Sequence, residues 1–164
     1  MDLYGWLVVA HVSVVIVALM AHGVSMFAML RLRSETDRGR IGAILDLSSS
    51  SLTVAGIGLL AAIVLGIAAA IVGGHFSRFW PWASIVVLIV VIGAMTPLAA
   101  APMSRVRHAL GLAVPGDRIG QTAGDAGTDA ELTAALAGIR PALPAAIGVA
   151  GIVVLVWLMR AKPF

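Results

Sequence analysis

Between Leu52 and Val72 the sequence reads LTVAGIGLLAAIVLGIAAAIV, a stretch without a single charged residue. A helix that crosses the hydrocarbon core of a bilayer needs roughly 20 apolar residues, because each residue advances it by about 1.5 Å. This segment meets that requirement. It also contains a pattern: Gly58, Ala62, Gly66 and Ala70 recur every fourth residue, and Gly74 continues the series. On a helix, positions four apart share a face. Small residues along one face form a groove that a second helix can approach closely, and close packing is what associates helices in lipid.

Three further segments pass the same length test. They run from about Tyr4 to Leu30, from about Pro81 to Met103 and from about Leu143 to Met159. Inside a bilayer every backbone amide must be bonded within its own segment, so such runs are helices. The whole chain, residues 1–164, then reads as one integral membrane domain: an all-α, antiparallel four-helix transmembrane bundle. Gly93, Pro97 and Ala101 repeat the four-residue spacing on span three, so this stripe is expected to meet that of span two. Pro97 removes an amide donor and is expected to bend its helix, with Thr96 bonding a freed carbonyl.

Composition agrees. Of the 164 residues, 60% are hydrophobic and 12% charged, about half the charged fraction of a soluble domain. Mean hydropathy is +1.04. There is no cysteine, which excludes disulfides, iron–sulfur clusters and thiolate zinc sites. The pI of 10.6 does not indicate nucleic-acid binding, since the net charge is only +3 and most arginines sit in two loops. The opening Met1-Asp2-Leu3 has no basic region, and the apolar run behind it is too long for a signal peptide. It is read as a retained span.

Arginines orient the bundle. Arg31, Arg33, Arg38 and Arg40 lie in loop one; Arg105, Arg107, Arg118 and Arg140 lie in loop three. Only Arg78, Arg160 and Lys162 fall on the other side. The positive-inside rule places loops one and three in the cytoplasm and both termini outside. Tyr4, Trp6, Phe79, Trp80, Trp82 and Trp157 collect at the opposite side as an aromatic belt. In loop one, Ser34-Glu35-Thr36-Asp37 supplies capping side chains. Ile41, Ile44, Leu45 and Leu47 then suggest a short interfacial helix leading through Ser48–Ser51 into span two. In loop three, residues 111–127 read as mobile. Thr128-Asp129-Ala130-Glu131 matches a capping box, and the helix behind it should stop at Arg140, before Pro141.

Ionisable groups inside spans are functional candidates by default. His11 and His22 on span one are the two, and no Asp, Glu, Lys or Arg lies deep in a span. Proton pumps and ion-coupled transporters rely on buried carboxylates, so a small transporter is the least favoured function. Eleven residues separate the histidines, which is three turns plus about 20° and a rise of about 16 Å. They face the same way but cannot share a metal. They suit stacked cofactor sites, as where haem iron is held by axial histidines. His22 could reach Met95 or Met103. His75, in the loop between spans two and three, could approach His11 to bind a metal such as copper. The simpler role for either span-one histidine is a neutral ring bonded to a backbone carbonyl or to Ser13 or Ser25. The methionines read as packing residues. No phosphate-cradling glycine loop, His-Glu-x-x-His motif or Ser/His/Asp set is present, so the chain is read as non-enzymatic.

Trp6 followed by His11, Gly73-Gly74 closing span two, Trp80-x-Trp82 opening span three and the ending Trp157-Leu-Met-Arg-Ala-Lys-Pro163 carry a resemblance. The chain resembles bacterial integral membrane proteins of four spans and unknown function. It is also distantly similar to the copper-resistance D membrane domain, in which an early-span histidine matters. That resemblance implies a role for His11. A second span-one histidine, in the step His22-Gly23, departs from the pattern. The readings that follow are a structural or interaction subunit of the cell membrane, in contact with lipid and with a second copy or a partner subunit. The alternatives are a haem- or copper-binding membrane protein using His11 with His22 or His75, and a small transporter.

Overall fold

The computed structural model describes residues 2–114 and 124–163. Arg118 and residues 115–123 of the glycine-rich loop lie outside the described residues. Every described element is helical: α1 (Leu3–Leu32), α2 (Arg38–Val72), a 3-10 turn (His75–Ser77), α3 (Trp80–Ala109), α4 (Asp129–Ala137) and α5 (Ala142–Ala161). α1, α2, α3 and α5 are long and apolar enough to cross a membrane. The chain is an all-α, four-helix membrane protein.

The helix ends follow the sequence signals. Asp2 accepts the Gly5 amide at 2.8 Å, and Asp37 accepts the Arg40 amide at 2.8 Å. Thr128 and Glu131 form the expected capping box, the Glu131 carboxylate accepting the Thr128 amide at 2.7 Å. Gly74 closes α2 at φ +65°, a left-handed backbone that glycine adopts without strain. One boundary differs. The interfacial helix expected in loop one is not a separate element: α2 is continuous from Arg38 through Ser48–Ser51 to Val72. The serines do not break it because Ser49 and Ser50 fold their hydroxyls back onto the carbonyls of Leu45 and Asp46.

The four helices pack as two antiparallel hairpins. In the first, Tyr4, His11, Ala18, Ser25 and Leu32 recur every seven residues on α1, and Ile41, Ser48, Ala55, Ala62 and Ala69 do so on α2. A repeat of seven keeps one side of each helix against the other along its length. The layers are set by contacts. Leu32 and Ile41 share a buried cluster, Ser25 and Ser48 bond at 2.7 Å, and His11 bonds the Ala62 carbonyl at 2.8 Å. A Cβ added to Gly58 would lie 3.0 Å from Ala18 Cβ. The small-residue stripe of α2 is therefore filled by α1. The expected match with span three does not occur: the space beside Gly93 is open, because the short turn between α1 and α2 brings α1 to the groove first.

The second hairpin joins α3 and α5. A Cβ on Gly151 would collide with Val91 Cγ2 at 2.5 Å, and one on Gly148 would meet Met95 Cε at 3.1 Å. Pro144, Gly151 and Leu158, again seven apart, are the buried residues of α5. α3 passes Pro97 and Pro102 without ending. The Thr96 hydroxyl bonds the Ile92 carbonyl at 2.8 Å, one residue short of Gly93, whose carbonyl loses its amide partner at Pro97.

The two hairpins meet mainly at their ends. At the end carrying the α1–α2 turn and α4, here the arginine end, Met29, Leu32, Ile41, Leu45, Val106, Leu132 and Ile139 form the buried core. Arg107 ties α3 to α2 there, reaching the Leu45 carbonyl, Asp46 and Ser49 at 3.2, 3.0 and 2.8 Å. Arg38 ties α2 to the start of α4 through Asp129 at 2.8 Å and the Gly127 carbonyl at 2.7 Å. At the opposite, aromatic end the hairpins meet through Tyr4, His75 and Trp80. In mid-span α3 buries nothing completely between Ser84 and Pro102.

Candidate functional site

The candidate residues lie along the α1/α2 seam and at its aromatic end. His11 occupies the seam layer above Ala18. Its Nδ1 lies 2.8 Å from the Ala62 carbonyl oxygen. A carbonyl only accepts, so Nδ1 carries the proton and donates. Nε2 makes no hydrogen bond among the described residues. The ring packs close against α2 because residue 66 is glycine: a Cβ there would sit 3.0 Å from His11 Cε1 and 3.1 Å from Nδ1. That carbonyl bond is the simpler role foreseen for His11, and it is also how proteins orient a metal-binding imidazole.

His22 is half-buried and forms no hydrogen bond among the described residues. The two serines considered as its partners are engaged elsewhere, Ser13 with the Val9 carbonyl and Ser25 with Ser48. The methionines considered as its partners are also turned away. Met95 packs on Gly148 and Met103 on the arginine-end core.

His75 stands on the 3-10 turn, with Nε2 3.1 Å from the Tyr4 hydroxyl and its ring edge-on to that ring at 5.5 Å. Trp80 lies 5.5 Å on its other side, and Lys162 Nζ is 5.6 Å from the Trp80 ring. Partial burial lowers the His75 pKa below the usual histidine value, and the charges of Lys162 and Arg78 lower it further. A Cβ on Gly73 would lie 2.7 Å from both Tyr4 and His75, so the glycine makes room for the pair. His75 thus sits at the level of Tyr4, seven residues or about 10 Å along α1 from His11. The structure does not bring the two together. Among the described residues there is no group of three or more His, Asp or Glu placed to hold a metal.

Three features escaped the reading of the sequence. The Ser25–Ser48 bond places a polar pair inside the seam. Arg107 acts as a strut between hairpins, its side chain only 13% exposed. The indole nitrogen of Trp80 is buried with no partner among the described residues. The seven-residue recurrence of Tyr4, His11, Ala18, Ser25 and Leu32 was the available signal for the first; nothing in the sequence marked the other two. The chain matches no family model, no curated protein and no solved structure.

Proposed function

We propose that this protein is a non-enzymatic interaction subunit of the cell membrane that receives another membrane helix on the open face of α3. The observation that carries this reading is the contrast between two stripes of small residues. The stripe on α2 is filled by α1. The stripe on α3 is not: Gly93, Pro97 and Ala101 are exposed, and no atom outside the helix comes within 4 Å of a Cβ on Gly93. In lipid, small residues let backbones approach closely, and that contact is what drives association. The polar groups of the first hairpin support the same reading, since His11, Ser25 and Ser48 are spent on holding helices together.

The chain has no cysteine, so cysteines placed one at a time report proximity cleanly. Gly93→Cys and Ala101→Cys, treated with a short bifunctional thiol/amine crosslinker in native membranes, should yield a defined heavier species, either a dimer or a heteromer. Val153→Cys, on an exposed face of α5, should not. Equal crosslinking at all three positions would remove the basis for the proposal. In the same reading both termini are extracytoplasmic, because eight of the eleven Lys and Arg residues belong to loops one and three. Reporter fusions at residue 36 and after residue 163 test this.

A second reading rests on His11. Its Nδ1 bond to Ala62 leaves Nε2 without a hydrogen bond among the described residues, and a ring held in this way is oriented as metal-binding imidazoles are. The resemblance to the copper-resistance D domain implies the same residue. Purified protein carrying stoichiometric haem or copper that disappears in His11→Ala would establish this reading. Colourless, metal-free protein would leave His11 as a packing residue.

A further inference from the structure

We propose that Arg105 and Arg140 together bind the phosphate of an anionic phospholipid at the arginine end of the second hairpin. Depth comes first. α5 has 20 residues and rises about 30 Å, the thickness of the hydrocarbon core. Arg140, two residues before its start, therefore stands at the hydrocarbon boundary. On α3, Val91 lies against Gly151 and Met95 against Gly148. Continuing that register brings residues 100–101 level with Ala142. Arg105 then lies about 6–8 Å beyond the boundary, within the headgroup layer.

Both side chains are presented at one corner. Arg105 Nη1 is 3.7 Å from where a Gly138 Cβ would be. Ile139 and Pro141, on either side of Arg140, are buried, which fixes the backbone there and turns Arg140 outward. Among the described residues neither arginine has a counterion. The described carboxylates at this end are committed elsewhere: Glu35 to Arg31, Asp46 to Arg107 and Asp129 to Arg38, while Asp37 and Glu131 cap helices. The exposed Asp125 pairs with neither arginine. Two guanidinium groups at headgroup depth, unneutralised among the described residues, match a phosphate whose lipid carries no compensating amine. Arg33 and Arg40 are also exposed, but they lie at the α1–α2 turn. Counting 20 residues from Tyr4, Arg33 falls about 13 Å beyond the hydrocarbon, too deep in water for the same contact.

Lipid binding by the full chain in mild detergent tests this, read as the shift of the thermal unfolding midpoint. Phosphatidylglycerol should stabilise the wild type more than phosphatidylcholine does. Each arginine near an anionic headgroup contributes about fivefold in affinity. R105Q/R140Q should therefore bind phosphatidylglycerol roughly thirtyfold more weakly, and R33Q/R40Q should bind like the wild type. If the double variant does not fold, R140Q alone should show the fivefold loss, since the Arg140 side chain makes no bond among the described residues. An equal loss in R33Q/R40Q would overturn the proposal, as would the absence of a phosphatidylglycerol preference in the wild type. Inorganic phosphate alone should leave the midpoint unchanged, and a shift with it would refute the assignment to lipid.

Discussion

Replacing Gly66 by alanine tests the layered seam of the first hairpin. A methyl group at this position would lie 3.0 Å from His11 Cε1 and 3.1 Å from Nδ1, closer than ordinary carbon contacts. The imidazole is held against this same helix by its 2.8 Å bond to the Ala62 carbonyl, one turn before Gly66. It can retreat only by lengthening that bond or by pushing α1 away. Overpacking of this kind costs about 1–3 kcal/mol, and weakening an interhelical hydrogen bond in a membrane costs about 0.6–1.7 kcal/mol. Against this, alanine is favoured over glycine in a helix by about 1 kcal/mol. Gly56 supplies the control. It lies on the same helix, and a Cβ there meets nothing within 4 Å, so Gly56→Ala gains the helix preference without the clash. Gly66→Ala should therefore unfold more readily than Gly56→Ala by about 1–3 kcal/mol. The assay is unfolding in mixed micelles of rising denaturing-detergent fraction, followed by tryptophan fluorescence. Repeating the pair in a His11→Ala background should abolish the difference. If the two glycine variants are equally stable, or if the difference survives the loss of His11, His11 does not pack on Gly66 and the register is wrong.

Other outcomes follow from the same contacts. Ser25→Ala or Ser48→Ala alone should cost about 1 kcal/mol, because each strands a buried hydroxyl. The double variant should cost less than the two together, as a double-mutant cycle would show. Arg107→Gln should lower stability by about 1–3 kcal/mol, since it removes the donor that links α3 to the Leu45 carbonyl, Asp46 and Ser49 across the hairpins. Arg38→Gln, whose partner Asp129 is 93% exposed, should cost less than 1 kcal/mol in the same denaturation assay. The His75 pKa is lowered in the folded protein, so its contribution is fully present above the ordinary histidine pKa of about 6.5 and is lost as pH falls through the lower folded value. Unfolding midpoints should drop between pH 7.5 and pH 5, and His75→Gln should flatten that part of the profile.

The sequence by itself determined that this is a membrane protein of four helices. Apolar runs of spanning length leave the backbone no alternative in lipid, and that constraint acts within each segment alone. The same holds for the caps at Asp37 and Thr128, where partners lie within a few residues; Gly74, read as continuing the small-residue series, instead lies beyond the end of α2 and closes it in a left-handed turn. The continuity of α2 through Ser48–Ser51 was not legible, because it turns on where each hydroxyl bonds: Ser49 and Ser50 onto their own helix and Ser48 onto Ser25 of α1. Which stripe meets which helix was decided only in three dimensions. The small residues of α2 and of α3 are equally suited to a close neighbour, and chain connectivity gives the α2 groove to α1 and leaves α3 open. The histidines show the same limit. Their spacing along α1 was readable, but His75 reaches Tyr4 and not His11 because the turn after Gly74 sets its depth, and depth across the bilayer is a property of how helices are joined.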